Sequence, residues 1–225
     1  CIIKMKEKSE HDWISKTRLD ALKKGLIPRQ ILLRQHIVGT GSQNVYHHKG
    51  NTVRKRDMEK KEKNAYKDIK NYVKDDERKK HLLEYIADDI DDPDYPNSII
   101  LENLSRQGFK TFDKFPLIVR DDQEDELRKL CKEVKRVILE FLKNGIIHHD
   151  GKPENIMIKK NKGVWQVKII DLETVEFSAN VSDGKIKSEY EQYMDDFLFD
   201  ADYEENNFVY LRENINILRE ELEKY

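Results

Sequence analysis

Cysteine is nearly missing from this chain: Cys1 and Cys131 are the two present in 225 residues. A pair of cysteines cannot build the disulfide framework of a small secreted domain, so the fold must rest on an apolar core, as suits a reducing compartment. Proline and glycine are sparse as well, with 5 and 9 residues. No Gly/Ser-rich or Pro-rich stretch is long enough to act as a linker, so any boundary between units is short. No repeat of roughly 20 to 50 residues recurs, which excludes solenoids and propellers. No apolar run approaches the roughly 18 residues of a membrane span, and the charged first residues, Cys1 to Lys8, do not make a signal peptide. Neither sign of charge dominates, because 42 Lys and Arg face 44 Asp and Glu for a net charge of -2. A bulk nucleic-acid binder needs a basic excess, so no nucleic-acid partner is expected.

What the chain has in quantity is charge of both signs. Charged residues make up 38%, against roughly 25% in ordinary soluble chains. Leu, Ile, Val and Phe together supply 61 residues, above the roughly 20% below which chains stay disordered. The core is therefore affordable but lean. The length fits one large domain or two small packed lobes.

The order of elements is more informative than composition. Residues 9–24 read as a helix ended by Gly25 and Pro28, and residues 30–38 as a strand. Gly39-Thr40-Gly41-Ser42 is a turn, and residues 44–48 and 52–56 are strands joined through Gly50. Together these give a three-stranded antiparallel sheet. Residues 59–72 form a charged helix whose inward face is Ala65, Tyr66 and Ile69. Residues 82–87 are apolar and fit helix or strand, residues 88–95 are an acidic loop, and residues 98–101 are a strand. The clearest helix is 122–144, where Leu127, Leu130, Cys131, Val134, Val137, Ile138, Phe141 and Leu142 recur at three- and four-residue spacing before Gly145. Strands at 156–159 and 164–170 follow, then an acidic, aromatic tail ending in a helix at 211–223.

The segment that carries chemistry is His148-His149-Asp150-Gly151-Lys152-Pro153-Glu154-Asn155, with Asp171-Leu172-Glu173 at the end of a later apolar strand. Phosphoryl transfer needs a carboxylate near the acceptor hydroxyl, a cation beside the moving phosphoryl group and hard oxygen ligands for magnesium. These residues offer all three. The histidine pairs His47-His48 and His148-His149 lack Cys or carboxylates at ligand spacing, so they do not read as a metal cluster. The acidic loop lacks the glycine and terminal glutamate of a calcium loop.

The segment resembles the catalytic loop of the protein kinase family, H-R-D-x-K-P-E-N, and Asp171-Leu172-Glu173 sits where that family has D-F-G. On that resemblance Asp150 is the catalytic base, Lys152 neutralises the phosphoryl group, and Asn155 and Asp171 hold magnesium. Upstream, Gly39, Gly41 and Ser42 look like the glycine-rich loop over the phosphates of ATP. Lys55 matches the lysine of the family's third strand, and Glu62, in preference to Glu59, the helix glutamate that pairs with it. Leu101-Glu102-Asn103-Leu104 resembles the hinge that receives adenine, with Glu102 and Leu104 as its contacts. These pieces occur in the family's chain order and cover roughly residues 37–173. The resemblance implies an α+β, two-lobed fold with a small antiparallel-sheet lobe and a truncated, mostly helical second lobe. It divides the chain into an N-terminal helical extension (1–28), a first lobe with hinge (29–104) and a second lobe (105–225). It implies ATP and Mg as cofactors, Ser/Thr hydroxyls of a protein substrate as acceptors, and a cytoplasmic location, in a host cell if the chain is a bacterial effector or viral kinase.

Departures from the pattern open two further readings. His149 replaces the arginine of H-R-D, so switching by activation-loop phosphorylation is not expected. Glu173 replaces the glycine of D-F-G, where it either adds a metal ligand or locks Asp171 inward. Gly151 replaces an apolar residue, which loosens one anchor of the loop, and Asn44 replaces a third glycine. Only 54 residues follow Asp171, without A-P-E, and Asp195-Asp196 is at best a remnant of a bracing helix. The substrate platform therefore looks reduced, and an activating protein partner is expected to complete it. The alternatives are a nucleotide-binding pseudokinase that docks a partner and a kinase-fold transferase acting on a small molecule.

Overall fold

The computed structural model describes residues 45–47, 50–56, 58–73, 85–88, 97–119, 122–203 and 208–225. The expected helix at 9–24, the strand at 30–38, the Gly39–Ser42 turn and all of the acidic loop after Asp88 lie outside these residues. Strands β1 (Val45–His47) and β2 (Thr52–Lys55) are joined by a turn in which Gly50 has φ of 60°. They are followed by helix α1 (Lys60–Tyr72), β3 (Tyr85–Asp88) and β4 (Ile99–Glu102). Among the described residues the sheet has four strands in the order β1-β2-β4-β3, all antiparallel. Of the three strands expected in this sheet, those at 44–48 and 52–56 are present as β1 and β2 and that at 30–38 lies outside the described residues, while the ambiguous segment at 82–87 and the strand at 98–101 join the sheet as β3 and β4. Register places Lys55 opposite Ile99 and Val53 opposite Leu101. Glu62 lies on the same stripe of α1 as Ala65, Tyr66 and Ile69, and all four are buried.

The second part begins with β5 (Lys110–Thr111) and a 3-10 turn at Phe112–Leu117. Helix α2 (Gln123–Lys143) follows, with Glu124, Asp125 and Glu126 in its first turn, where carboxylates oppose the helix dipole. All eight of its expected core residues are buried. The chain then reverses at Gly145, whose φ is 75° and whose missing Cβ would meet the carbonyl oxygen of Ser178 at 1.9 Å. Only glycine fits there. The reversal lets β6 (Ile146–His148) pair with β9 (Val175–Phe177). Between them lie β7 (Ile156–Asn161) and β8 (Val164–Ile169), which form a sheet in the order β5-β7-β8.

Helix α3 (Asp183–Asp202) spans twenty residues where the sequence reading expected a remnant. It buries Ile186, Tyr190, Tyr193, Met194, Phe197, Leu198 and Ala201, and the Phe197 ring meets Phe112 edge-on at 5.2 Å. The expected terminal helix is broken into α4 (Val209–Glu213) and α5 (Ile215–Leu222). The break falls at Asn214, whose backbone N–H and side-chain amide both donate to the Tyr210 carbonyl, at 3.2 and 2.8 Å. Helices α3 and α5 pack on α2, and each large side chain buried there stabilises the fold by roughly 1.5–3 kcal/mol. Among the described residues no helix is long and apolar enough to cross a membrane.

Candidate active site

Lys55 ends β2 and points its ammonium group into the seam between the sheet and the helical part. It forms an ion pair with Glu62 of α1 and donates to Asp171 Oδ1 at 2.7 Å. One turn beyond Glu62, the Tyr66 ring lies 5.7 Å from the same nitrogen, and its hydroxyl accepts from the Leu172 N–H at 3.4 Å. Burial alone would lower the Lys55 pKa, but Tyr66, Asp171 and Glu62 outweigh it and hold the lysine above its ordinary range, fully charged. Burial pushes the Glu62 carboxyl up, with Lys55 opposing. Glu59, the rival glutamate, is exposed ahead of the helix.

Asp171 adopts a left-handed backbone conformation, φ 63° and ψ 76°. A non-glycine residue there is strained by about 1–3 kcal/mol and persists only where its surroundings hold it. The hold comes from Lys55 on the carboxylate and from His148 on the backbone. His148 Nε2 donates to the carbonyls of Asp171 at 2.8 Å and Ile170 at 3.1 Å, while Nδ1 accepts the Asp150 N–H at 3.3 Å. That set of partners requires a neutral ring, and burial lowers the His148 pKa accordingly. One buried imidazole therefore ties the Asp150 loop to the Asp171 turn.

Asp150 is itself fixed from both sides. Lys152 Nζ lies 2.8 Å from Oδ1, and Asn155 Nδ2 donates to Oδ2 at 2.8 Å and to the Asp150 carbonyl at 3.2 Å. Asn155 is buried, whereas Lys152 is exposed. The hydrogen bond to Asp150 raises the Lys152 pKa. Beneath the loop, a Cβ on Gly151 would meet the Tyr193 carbonyl oxygen at 2.2 Å. The expectation that Gly151 loosens an anchor is thus corrected: its lack of a side chain is what allows α3 to pack against the loop. The brace comes from Tyr193, whose ring also meets His148 edge-on at 5.9 Å. Asp195 and Asp196 are exposed.

At the hinge segment, Leu101 and Leu104 are buried. The Glu102 carboxylate is engaged by an ion pair with Lys168 of β8 and by Gln107 Nε2 at 2.7 Å. Its side chain faces away from any ligand role, which leaves the backbone. The Asn103 N–H donates to the Asn51 carbonyl at 2.8 Å, and Arg106 Nη1 to the Gly50 carbonyl at 2.6 Å, so the β1–β2 turn is clamped to this segment. Gly39, Gly41 and Ser42 lie outside the described residues. The structure thus brings Lys55, Glu62, Asp171, Asp150, Lys152 and Asn155 into one connected network, with Glu102 and Leu104 at the end of β4. A cavity of about 550 Å³ opens elsewhere, against Leu198, Phe199, Tyr203 and Arg219, and does not include that network.

Sequence reading missed Tyr66 and Tyr193 as polar or bracing partners and Lys168 as the partner of Glu102. Tyr66 sits at a core position of an amphipathic stripe, which announces burial and not a hydroxyl contact. Lys168 gave no signal, because it falls in phase with Val164 and Gln166 on the outward face of a strand that buries Trp165, Val167 and Ile169.

No family model and no curated protein matches this chain. Among solved structures it is similar to the BubR1 kinase domain, at 19% identity over 67% of this chain and 49% of that one, with a TM-score of 0.47. It thus spans about half the length of that chain. It is also similar to WaaP in complex with acyl carrier protein, at 12% identity over 92% of this chain and 91% of that one, with a TM-score of 0.44. The fold is α+β, a small antiparallel sheet with its helix set against a mostly helical second part.

Proposed function

We propose that this chain is an ATP- and magnesium-dependent phosphotransferase acting on Ser or Thr hydroxyls of a protein. The observation that carries the reading is that Lys55, Glu62 and Asp171 on one side, and Asp150, Lys152 and Asn155 on the other, are joined through His148. Of these, Lys55 and Glu62 are buried, and buried ionic groups cost several kcal/mol of desolvation each and are poor stabilisers. Their retention at the seam fits a ligand-directed role.

The donor set suits magnesium. Asn155 commits its amide nitrogen to Asp150, so its carbonyl oxygen is the hard donor on offer, and Asp171 adds a carboxylate that is 34% exposed on its side chain. When bound, magnesium and ATP supply the phosphoryl group and neutralise its charge. The protein's own residues do the rest. Asp150, oriented by Asn155 and Lys152, accepts the proton of the acceptor hydroxyl as that oxygen bonds to the γ-phosphorus and the bond from phosphorus to the β,γ-bridging oxygen breaks, with ADP as the leaving group. Lys152 offsets charge on the transferring group, Lys55 is positioned by Glu62 for the donor phosphates, and the backbone of Glu102 and Leu104 receives the base. Gly39, Gly41 and Ser42 cover the phosphates in this reading, residues 29–104 and 105–225 are its two lobes, residues 1–28 precede them, and a protein partner completes the substrate platform.

The test is transfer of labelled γ-phosphate to the chain itself and to generic proteins. Asp150→Ala and Asp171→Ala are expected to abolish it, and equal signal from both variants would sink the reading. A magnesium-ATP thermal shift without turnover would favour a partner-docking module instead.

A further inference from the structure

The cavity of about 550 Å³ lies between α3 and α5, and its apolar lining is Leu198, Phe199 and Tyr203. Phe199 and Tyr203 stand four residues apart with their rings stacked at 5.8 Å, yet they stay 70% and 43% exposed. Two large rings left side by side in water cost free energy that a covering apolar group would recover. Exposed apolar surface rimmed by charge marks an interaction site.

The charge of the rim says what kind of group belongs there. Arg219 is spent inside the cavity, its Nη2 lying 3.3 Å from Asp202 Oδ2 and its Nε 3.6 Å from Glu223 Oε1. Asp195 also lines the cavity, is exposed and, among the described residues, has no ion-pair partner. The lining thus carries three carboxylates against one guanidinium, and residues 195–203 hold four Asp and no Lys or Arg. An occupant of complementary charge is basic.

The same helix reaches the catalytic loop. Gly151 packs on the Tyr193 carbonyl of α3, and Asp196 is near enough to Asp150 and Lys152 to feel both charges. Burial, then the negative charges of Asp150 and Asp195, push the Asp196 carboxyl pKa up, with Lys152 opposing. At a rise of 1.5 Å per residue, the helix covers about 9 Å from Tyr193 to Phe199, which about three extended residues span. A chain anchored on Phe199 therefore has the reach to present a hydroxyl at Asp150 a few residues away.

We propose that the groove between α3 and α5 docks the protein acceptor, through a segment in which Lys or Arg stands beside an aliphatic or aromatic anchor. The anchor covers the Phe199 and Tyr203 rings, and the cation meets Asp195 and the ring faces. The assignment of the occupant as acceptor rests on the phosphotransferase reading.

The experiment titrates labelled peptides of about twelve residues into the full chain and reads fluorescence anisotropy. One peptide alternates Arg and Leu around a central Ser, a second has Glu at every Arg, and a third has Gly at every Leu. The Arg/Leu peptide is expected to bind wild type, and the other two at least about tenfold more weakly. Phe199→Ala should weaken the Arg/Leu peptide about tenfold, as expected for withdrawing one large apolar contact. Asp195→Lys should weaken it about threefold to tenfold, more at low salt than at high, while Glu213→Lys on α4, outside the cavity, leaves it unchanged. In label transfer to the central Ser, Phe199→Ala should raise KM with kcat unchanged. Failure of the Arg/Leu peptide to bind wild type, or equal binding by Phe199→Ala, would overturn the proposal. Self-association that Phe199→Ala abolishes, with no peptide bound, would overturn it in favour of a second copy of the chain. If no chain transfers phosphate while the peptide binds at Phe199, the phosphotransferase reading fails on its own account and the docking groove stands.

Discussion

The seam around Lys55 and the base around α2 solve opposite problems. Helix α2 buries eight apolar side chains and keeps its charges outside, where Arg136 pairs with Glu133 and Glu140 on the surface. The seam buries Lys55, Glu62, Glu102, Asn103, His148 and Asn155. Apolar burial yields net stability, whereas a desolvated ion pair roughly breaks even at best. The contrast separates what holds this chain together from what it holds ready for a ligand.

Mutations should expose that division. Leu130→Ala, at a fully buried α2 position, is expected to cost about 2–5 kcal/mol in urea denaturation, with label transfer per folded molecule unchanged. A matching loss of transfer would break the comparison. Gly151→Ala lies where the two regions touch and should lower both properties. Its methyl group must displace the Tyr193 carbonyl, costing about 1–3 kcal/mol and misplacing Asp150; calorimetry and a transfer assay on one preparation would show both.

Acid should act on the seam through His148. Burial holds its folded pKa below the ordinary value, so its contribution to stability is present above that value and is lost as pH falls through the depressed one. Thermal unfolding in the acid range should therefore show a decline that His148→Gln reduces. The smallest effect is assigned to Arg136→Ala, whose surface pairs should be worth about 0.5 kcal/mol or less of unfolding free energy in urea denaturation, with label transfer unchanged.

Much of this division is legible in the residues. The α2 face can be read from its spacing, because one buried stripe of large apolar residues leaves a period that charge on the other faces sharpens. Lys55 and Glu62 are readable as a strand lysine and a carboxylate placed on the apolar stripe of the next helix. Helix α3 is harder to see, since its buried positions are partly tyrosines set among Asp and Glu, which blur the apolar period. The contact of Gly151 with Tyr193 joins residues 42 positions apart, and that of Glu102 with Lys168 joins residues 66 apart. Such partners are set by how the helix and sheets pack, and no local pattern records them. The strand β3 became decidable only with a neighbour, because a short apolar segment takes its state from the edge available to it.

The central claim is that the Asp171 side of the seam holds a metal-bound nucleotide. Calorimetric titration of ATP with and without magnesium, on wild type and on Asp171→Asn, tests it most directly. The account predicts that magnesium tightens ATP binding at least about tenfold in wild type and leaves it unchanged in Asp171→Asn, a difference of about 1.4 kcal/mol or more. An equal magnesium effect on both proteins would contradict it.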